Sequence, residues 1–477
     1  MELFDRCARE PERLLAVTEE GRRYTLGDLN AASERLGRAV GGHKLVFLLC
    51  ENTPGLLMSY FSCLNTGAVP LLLDAHISPE LLEGLLAAYQ PAFVCVPEDL
   101  PQETRQVLRE YQPHLTLEDA QLLHRGTEGP ELHPELALLL TTSGSTGSPK
   151  LVRISARNLE SNTKSIVEYL GLTEAERPVT NLAMSYSYGM SILNTHLLAG
   201  ATIVLTRRSV LERPFWELME REQVTSLAGV PYTYRMFQRA GLQSMALPAL
   251  RTLTQAGGKL PEALHREYAA WAEQTGRRFC VMYGQTEASP RMGYLPPEEA
   301  IRKCGSMGIP VPGGRFRLLQ EDGGEIQTAD TVGELVYQGP NVAMGYAQQA
   351  DDLRLGDQWH GELHTGDMAK RDEDGFYYIV GRKKRFVKLY GNRVSLDEVE
   401  RLLSTRFPQA GFACVGKDDC LRIFHDSPEP ALTQDATDYL SAQMHFPPRV
   451  FQVQALASIP KNESGKTKYR ALEDIAQ

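Results

Sequence analysis

The sequence predicts an α/β protein. It would have a large N-terminal domain of two parallel α/β sheets plus a β-rich subdomain, and a small α+β C-terminal domain. Three observations lead to this prediction: short apolar strands alternate with helical patterns up to about residue 290, turn-rich segments follow them, and a shorter mixed segment ends the chain. Strands that are buried on both faces and interleaved with helices are typical of parallel sheets.

Elements of the first domain can be assigned in chain order. A strand at 44–50 precedes a helix at 54–65, a strand at 68–73, a helix from Pro79 and a strand at 93–96. Apolar runs of this length, with intervening helical segments of about 10–15 residues, indicate βαβ units. The further strands that the pattern predicts lie at 179–183, 201–205, 224–230, 250–255 and 279–282.

The character of the chain changes after Arg291. Turn-rich segments at 310–314 and 321–324 flank alternating strands, including 334–337. Alternation between polar and apolar residues is typical of sheets with one buried face, and glycine with proline marks the turns between strands. These segments therefore predict a smaller β-rich subdomain that closes the large domain.

The basic run 382–385 follows a predicted strand at 376–380 and has two interpretations. One is a solvated hairpin. The sharper one is a hinge, because a compact unit of about 95 residues follows the run. The hinge divides the chain into an N-terminal domain at 1–383 and a C-terminal domain at 384–477. The elements predicted in the second domain are a helix at 396–403 and a strand at 421–425.

Composition narrows the class of protein. The 477 residues include 50 Lys and Arg against 60 Asp and Glu, a net charge of −10, so nucleic acid or an anionic membrane is not expected as a partner. No apolar run approaches the ~18 residues that span a bilayer, and no signal-peptide pattern is visible. Eight cysteines lack a C-x-x-C pair, and several, such as Cys50 and Cys95, lie in apolar strands. These features predict buried free thiols and a soluble cytoplasmic protein.

The segment 141–150, TTSGSTGSPK, directly follows the apolar run 136–140. Its glycines allow the backbone to turn tightly and to present N–H groups to anionic oxygens, while hydroxyl groups and a lysine add donors. A strand that runs into such a loop predicts a site for a nucleoside triphosphate. The residues expected to contact its phosphates are Thr142, Ser143, Gly144, Ser145, Thr146, Gly147 and Lys150.

Other interpretations of this loop are weaker. A Walker A motif requires G-x-x-x-x-G-K-[ST], whereas Gly144 and Gly147 are separated by only two residues and Lys150 follows a proline. The tripeptide 465–467 resembles the end of that motif, but Pro460 stands where its first glycine belongs. A Ser/Gly surface linker rarely follows a buried strand so directly.

Further segments carry groups suited to a nucleotide, and their joint presence matters more than any one of them. The segment 283–287, YGQTE, offers a ring to stack on a purine, a hydroxyl for a phosphate and a carboxylate for Mg²⁺. Asp367 in a tight turn suits two ribose hydroxyls, and Arg382 offers a fork of donors for ribose or phosphate. The loop 460–466 has a glycine at its tip and presents Lys466.

In this order the motifs resemble those of the adenylate-forming superfamily, which includes acyl- and aryl-CoA synthetases, peptide-synthetase adenylation domains and luciferases. The resemblance extends over essentially the whole chain. The matching segments are TTSGSTGSPK, YGQTEAS, GELVYQGPNVAMGY, HTGD, DGFYYIVGRKKRFVKLYGNRVSLDEVE and PKNESGKTKYRAL.

The resemblance implies a two-step reaction. A carboxylate attacks the α-phosphorus of ATP, giving an acyl-adenylate and pyrophosphate, and a phosphopantetheine thiol then displaces AMP. The implied catalytic residues are Lys466, which would bridge carboxylate, ribose and α-phosphate, Thr286, and Glu287, which would help to hold Mg²⁺. The other residues that it implies for ATP are Gly257, Gly258, Tyr283, Gly284, Gln285, Asp367, Ile379 and Arg382.

For the second step the resemblance implies a mobile C-terminal domain. It would swing about Lys384 and bring the loop of Gly391 to the pantetheine arm. A lysine at the hinge matches part of the superfamily, many members of which have Asp there. The acyl pocket is expected at Tyr186, Tyr188 and Gly189, and the alternative for either tyrosine is packing under the helix.

The acid and the acceptor stay open. No Asp follows the pocket motif in the pattern of amino-acid-activating domains, which favours an aryl or short-to-medium acyl acid. Only eleven residues follow Lys466 and no D-S-L site is present, so we expect free CoA or a separate phosphopantetheinylated carrier protein as acceptor. Two alternatives are an inactive adenylate-binding protein, against which the intact motifs argue, and a luciferase-like oxygenase, which no residue favours.

Overall fold

A computed structural model of the chain describes residues 2–141, 150–390, 392–417, 420–461 and 467–475. The chain divides into two units. The first consists of Met1–Arg315 with Tyr337–Leu363, and the second of Phe316–Val336 with His364–Gln477. The second unit includes residues 364–383, which the sequence analysis places in the N-terminal domain. The predicted domains 1–383 and 384–477, with their hinge at Lys384, stay a prediction.

The strands and helices alternate along most of the first unit. In order, the first strands are β1 Leu14–Val17, β2 Arg23–Thr25, β3 Leu45–Cys50, β4 Val69–Asp74, β5 Phe93–Pro97, β6 Gln112–Leu117, β7 Ala120–His124, β8 Leu136–Thr141, β9 Leu151–Ser155, β10 Ile203–Val204, β11 Ser226–Gly229, β12 Thr252–Gln255, β13 Arg278–Gly284, β14 Arg291–Leu295 and β15 Ile309–Pro310. The later strands are β16 Arg315–Leu319, β17 Gly333–Gln338, β18 Gly345–Ala347, β19 Glu362–Arg371, β20 Tyr377–Arg382, β21 Phe386–Leu389, β22 Asn392–Ser395, β23 Phe412–Lys417, β24 Cys420–His425 and β25 Phe451–Ala455.

Most helices of the first unit lie between its strands, and the last three helices belong to the second unit. They are α1 Asp5–Arg9, α2 Leu26–Val40, α3 Pro54–Thr66, α4 Pro79–Tyr89, α5 Gln102–Val107, α6 Ala156–Leu170, α7 Ser187–Ala199, α8 Arg213–Arg221, α9 Pro231–Ala240, α10 Glu262–Gln274, α11 Leu396–Arg406, α12 Leu432–Met444 and α13 Tyr469–Ile475. Among the described residues, no helix has both the length and the apolar character needed to cross a lipid bilayer.

The larger sheet of the first unit has the strand order β18-β9-β8-β4-β3-β5-β7-β6. Its centre, β8-β4-β3-β5, is parallel, whereas β9 and β18 on one side and β7 and β6 on the other pair antiparallel. Every residue of β3 is buried, which explains its continuous apolar sequence. Thr141 of β8 pairs with Leu151 of β9, so the predicted phosphate loop connects two neighbouring strands.

The second sheet of this unit, β11-β12-β13-β14-β15, carries the YGQTE segment. Its first three strands are parallel, and β14 and β15 extend it in the antiparallel direction. Both sheets therefore contain the parallel strands that the sequence predicts. They also contain antiparallel strands that it does not predict, on both sides of the larger sheet and on one side of the second. In the third and smallest sheet β1 pairs parallel with β10 and antiparallel with β2.

One predicted strand is wrong. Residues 179–183 form only an isolated bridge, from Val179 to Val204, and no strand. The side-chain amide of Asn52 donates hydrogen bonds to the carbonyls of Thr180 and Leu182, over 2.7 and 3.1 Å. These carbonyls are thus satisfied by a side chain instead of a neighbouring strand.

The second unit contains a four-stranded sheet, a hairpin and a three-stranded sheet. The first has the order β16-β17-β19-β20 and includes the predicted strands at 334–337 and 376–380. The third pairs β23 antiparallel with β24, and β24 parallel with β25. Helices α11 and α12 contribute Leu403 and Leu440 to the apolar core of this sheet. The helix predicted at 396–403 and the strand predicted at 421–425 are confirmed.

All eight cysteines are free thiols, and six of them are buried. Cys50 and Cys95 lie in β3 and β5, where the sequence predicts them. Burial raises the pKa of both thiols, to about 12 for Cys95, so these side chains behave as small apolar groups.

Candidate active site

The carboxyl ends of β12 and β13 form one edge of the second sheet, because the two strands are parallel and in register at Gln255 and Val281. Two glycines of the predicted adenine site, Gly257 and Gly258, lie just after the end of β12. Tyr283 is the second-last residue of β13. The Gln255 side-chain amide donates to the carbonyl of Gly258 over 2.9 Å and shapes this loop. The structure therefore brings the predicted purine-binding residues to the same edge.

Gly257 also ties this edge to the predicted acid pocket. Its φ of +82° is unfavourable for other residues, and a Cβ atom there would lie only 2.6 Å from the hydroxyl of Tyr186. The Tyr186 side chain thus reaches the loop that the resemblance assigns to adenine. Two residues that the sequence assigns to different substrates are neighbours within one unit.

The segment after Tyr283 forms a short 3-10 helix, Thr286–Ala288. The Gln285 amide donates to the Tyr283 hydroxyl over 3.5 Å. The hydroxyl of Thr286 lies 3.5 Å from that of Ser187, the first residue of α7. The predicted catalytic threonine and the predicted acid pocket are therefore linked by a hydroxyl contact.

Glu287 is held by a tyrosine to which the sequence analysis assigns no role. The hydroxyl of Tyr346 donates to Glu287 Oε1 over 2.8 Å, and the Nζ atom of Lys150 lies 3.4 Å from the centre of the Tyr346 ring. Burial, and then the charge of Glu287, raise the pKa of Tyr346, so its hydroxyl remains a donor. Tyr346 ends the motif GELVYQGPNVAMGY, which was the available signal.

The carboxylate of Glu287 fits the role of a magnesium ligand. Its Oε2 atom has no hydrogen-bond partner among the described residues, and the side chain is half-buried. Within those same ranges no three His, Cys, Asp or Glu side chains converge to hold a metal ion. Mg²⁺ that is bound through one carboxylate and substrate phosphates, with water completing its shell, needs no such cluster.

The acid-pocket motif lies at the start of α7. A Cβ atom on Gly189 would lie 2.1 Å from the carbonyl oxygen of Ala183, so this helix can pack against the preceding segment only with glycine there. Tyr188 is buried, and its hydroxyl donates to Thr254 Oγ1 over 2.7 Å. Tyr186 is less buried and meets the Tyr188 ring edge-on, with 6.4 Å between ring centres. Tyr188 therefore packs among buried residues, and Tyr186 lies against the loop that contains Gly257.

Behind Tyr188 lies a cavity of about 30 Å³. Most of its lining is apolar, including Met282 and Leu227, but a cation and several hydroxyl groups face it as well. The polar residues of the lining are Tyr188, Ser191, Thr195, His196, Ser226, Thr252, Thr254 and Arg291. Sequence reasoning missed Arg291, although a cation at the start of the apolar strand β14 is an anomaly that could have signalled it.

In the second unit the predicted ribose-binding residues meet as an ion pair. Asp367 and Arg382 are opposite each other on β19 and β20, and Arg382 Nε lies 2.7 Å from Asp367 Oδ1. Asp367 is only 3% exposed, and its backbone N–H donates to the hydroxyl of Thr365. Ile379 is opposite Ala369 in the same pair of strands. The structure thus brings these predicted residues together on one hairpin.

Several predicted residues fall outside the described part of the chain. The phosphate-loop residues 142–147, Gly391 and Lys466 belong to this group, and of Lys384 only the backbone, in the 3-10 helix Lys383–Arg385, is described. Their roles stay predictions.

An ion network that the sequence did not indicate lies in the second unit. Arg385 pairs with Asp397 and Glu400, each over 2.6 Å, and its guanidinium lies 3.6 Å from the centre of the Tyr469 ring. The Tyr469 hydroxyl donates to Glu400 over 3.0 Å. The network joins the residue after the predicted hinge to α13, which begins three residues after Lys466.

Comparison with known proteins defines the family. Residues 3–347 match the family described as AMP-binding enzyme, and the chain belongs to that family. It is 29% identical over 442 residues to an indoleacetate–CoA ligase of Aromatoleum aromaticum, covering 88% of this chain and 85% of the relative. It is 30% identical over 413 residues to a feruloyl-CoA synthase of an Amycolatopsis species, covering 83% and 81%.

Solved structures agree with the fold. An o-succinylbenzoate CoA synthetase of Bacillus subtilis, solved with ATP and a magnesium ion, superposes with a TM-score of 0.80 at 23% identity and covers 99% of both chains. The superposition confirms the α/β fold class, and the family match with the CoA-ligase relatives confirms the predicted superfamily. The predicted enzyme class, an AMP-forming acid–thiol ligase, is confirmed by the family and by the CoA-ligase relatives.

Proposed function

We propose that this protein is a CoA ligase for an aryl or short-to-medium acyl acid, which it activates with ATP and Mg²⁺. One observation carries the proposal. Contacts within the first unit connect the carboxylate suited to Mg²⁺ with the tyrosine of the expected acid pocket. Glu287 follows Thr286, whose hydroxyl contacts that of Ser187. Tyr186, the residue before Ser187, lies against Gly257. The reacting phosphate and the acid must meet along such a path.

The phosphate end of the site is proposed around the loop 142–147, Lys150 and Glu287. Attack on the α-phosphorus brings an anion to a highly charged triphosphate, so catalysis consists mostly of positioning and charge stabilisation. The cluster of Lys150, Tyr346 and Glu287 supports a cation for the departing pyrophosphate and a carboxylate for the metal that accompanies ATP. Mg²⁺ would supply additional charge neutralisation between the phosphate oxygens.

The nucleoside end is proposed at two places. Gly257, Gly258 and Tyr283 would enclose the adenine, which their shared sheet edge supports. Asp367 and Arg382 would bind the ribose. Their ion pair supports this role, because the arginine orients the carboxylate, and carboxylate oxygens accept hydrogen bonds from hydroxyl groups well.

The catalytic lysine and the thiol step are proposed from the resemblance. Lys466 would neutralise charge as it moves between the carboxylate and the α-phosphate. The described residues on both sides support a loop with fixed ends: Lys461 forms a bridge with Thr467, and the backbone N–H of Lys468 donates to the carbonyl of Pro460 over 2.9 Å. A hinge at Lys384 between domains 1–383 and 384–477 would then exchange this loop for that of Gly391.

The names of the relatives support the acid class and the acceptor. The indoleacetate and feruloyl ligases act on aryl-substituted acids and are CoA enzymes, so free CoA is the preferred acceptor here. A separate carrier protein is the second candidate, because its phosphopantetheine arm carries the same thiol. We also infer a cytoplasmic location, which the buried free thiols support.

The test is ATP–pyrophosphate exchange with a panel of carboxylic acids, followed by AMP release with CoA or with holo carrier protein. We expect exchange with at least one aryl or acyl acid and AMP release that depends on CoA. Glu287→Gln should lower exchange by about 10²–10³-fold, as for loss of one key electrostatic contact. Glu298→Gln, on an exposed residue of the neighbouring 3-10 helix, is the matched control.

The outcomes separate the candidates. AMP release with a carrier protein but not with CoA would replace the acceptor. Absence of exchange with every acid, from a folded protein, would overturn the proposal and favour the inactive adenylate-binding protein. Oxygen uptake or light emission after adenylation would indicate the luciferase-like alternative.

A further inference from the structure

Arg291 is a buried cation in the first unit that the proposed chemistry does not use. It begins β14 and is 3% exposed. Its guanidinium lies 4.5 Å from the centre of the Tyr188 ring, and Nη2 lies 3.3 Å from the hydroxyl oxygen of Ser191. The Tyr169 hydroxyl also interacts with the guanidinium. These three neighbours are neutral, so none of them compensates its charge.

No Asp or Glu among the described residues forms an ion pair with Arg291, and its Nε atom has no hydrogen-bond partner there. Other buried arginines of this chain differ. The guanidinium of Arg153 donates to the carbonyls of Tyr346 and Gly356 and to Gln358, and Arg385 pairs with two carboxylates. Burying a guanidinium is unfavourable unless an anion or enough acceptors surround it. Arg291 therefore lacks the partner that its position calls for.

The unpaired cation faces a space in which a ligand group would fit. Arg291 lines the cavity of about 30 Å³ together with Tyr188, Ser191 and Thr254. That volume is sufficient to hold a water molecule, which is the scale of a single small polar group. The rest of the lining is mainly apolar, so an anion in the cavity would find its strongest interaction with Arg291.

His196 of α7 also lines the cavity, and its ring is neutral. Its Nδ1 lies 2.8 Å from the carbonyl oxygen of Ile192 and so carries the proton, while burial lowers its pKa to about 4. His196 Nε2 has no partner among the described residues and is an acceptor. It can hold a water molecule or a hydroxyl group next to an anion, and it brings no second positive charge.

The cavity adjoins the expected acid pocket through Tyr188, which belongs to both. Its ring meets Tyr186 edge-on, and Tyr186 lies against the loop of Gly257. An acid whose reacting carboxylate is directed to the nucleotide would extend past Tyr186 toward Tyr188. Its far end would then approach the Arg291 guanidinium, which lies against the Tyr188 ring.

We infer that the acid substrate carries a second anionic group, a carboxylate, at the end remote from the one that is adenylated, and that Arg291 binds it. This inference rests on the proposed function. Arg291 would then determine specificity: a substrate without the second carboxylate leaves a buried guanidinium unpaired, and sites of this type reject such analogues strongly.

The experiment compares matched acids in ATP–pyrophosphate exchange with the full chain. Each pair consists of a monocarboxylic acid and the dicarboxylic acid of the same length, in straight-chain and aryl series. We expect kcat/KM to favour one series of diacids by about 10²-fold or more. Arg291→Gln should abolish that preference, mainly by raising KM for the diacid, and Arg291→Lys should restore part of it.

Arg277→Gln is the matched control. Arg277 also lies on an aromatic ring, that of Trp271 at 4.9 Å, and also has an Nε atom without a partner among the described residues, but it does not line the cavity. Its substitution should leave the diacid preference unchanged. Thermal shift with ATP alone checks that each variant is folded and binds nucleotide.

The results distinguish a failure of the inference about Arg291 from a failure of the proposed function. Wild-type protein that activates monoacids as well as diacids, or a diacid preference that Arg291→Gln leaves intact, would overturn the inference while the proposed function stands. Failure to activate any acid would count against the proposed function itself. If Arg291→Gln does not fold, the wild-type ratio and Arg291→Lys still decide the matter.

Discussion

Tyr346 and Glu287 share a hydrogen bond of 2.8 Å, donated by the phenol to a carboxylate oxygen, and Lys150 lies over the same ring. The three side chains come from β18, the YGQTE segment and the residue before β9. The tyrosine thus holds one acidic and one basic residue of the proposed phosphate site in fixed positions. It does so without contributing a charge of its own.

Tyr346→Phe removes this hydrogen bond and keeps the ring beneath Lys150. A hydrogen bond to a charged group contributes about 1.5–3 kcal/mol, so we expect kcat/KM for Mg·ATP to fall by about 10–100-fold. A titration with Mg²⁺ at fixed ATP should show weaker activation. Tyr111→Phe, which removes the hydroxyl that donates to the carbonyl of Pro91, is the control, and equal losses in both variants would contradict the role of Tyr346.

Lys466→Ala should abolish adenylation and leave the thiol step. We expect exchange with pyrophosphate to fall by at least about 10²–10³-fold, while a supplied acyl-adenylate still reacts with CoA. Lys468→Ala, on an exposed residue just after the loop, should change neither rate. Near wild-type exchange in Lys466→Ala would show that another group neutralises the developing charge.

Asp367→Asn should weaken the recognition of ribose. The substitution removes the charge that pairs with Arg382 and the acceptor for two hydroxyls, so KM for ATP should rise about 10-fold. The wild type should discriminate strongly against dideoxy-ATP, and the variant should not. Asp330→Asn, which breaks the surface pair with Lys370, is the control. Unchanged discrimination in Asp367→Asn would place the ribose elsewhere.

Gly257→Ala should destabilise the first unit in two ways. The positive φ contributes roughly 1–2 kcal/mol, and the new methyl group would meet the Tyr186 hydroxyl. Gly241→Ala is the control, because Gly241 has a φ of +76° and open space around its Cβ position. Adding Tyr186→Phe should restore part of the difference between the two variants, measured by chemical denaturation. Equal losses without any rescue would argue against the contact.

His196 should make the protein sensitive to acid. Its pKa in the folded state is about 4, below the ordinary value of 6.5, because burial disfavours the charged ring. The unfolded chain therefore takes up the proton first, and stability decreases as the pH falls from 6.5 toward 4. From pH 7 to pH 5 the loss would be about 2 kcal/mol. His196→Gln should reduce this slope relative to His76→Gln, an exposed control; identical slopes would refute the assignment.

The local sequence predicted strands correctly where burial on both faces determines the types of residue. The apolar runs that became β3, β4 and β5 are buried on both faces, and few other structures accommodate such runs. The apolar segment at 179–183 failed as a strand because the Asn52 side chain, more than a hundred residues earlier, satisfies its carbonyls. A partner so distant in the sequence cannot be recognised from the residues of the segment itself.

The candidate site likewise has features that the sequence predicts and features that only the tertiary structure decides. The residue types and the order of the motifs were sufficient to identify a carboxylate-adenylating enzyme and to name Glu287, Asp367 and Lys466, because triphosphate, ribose and transferring charge demand particular side chains at particular turns. The partner of Glu287, the ion pair of Asp367 and the unpaired cation of Arg291 were decided by the tertiary structure. Pairing and burial depend on which strands become neighbours in the folded chain. The phosphate-loop prediction at 142–147 depends on the types of its own residues, whereas the surroundings of Arg291 come from segments that are distant in the sequence.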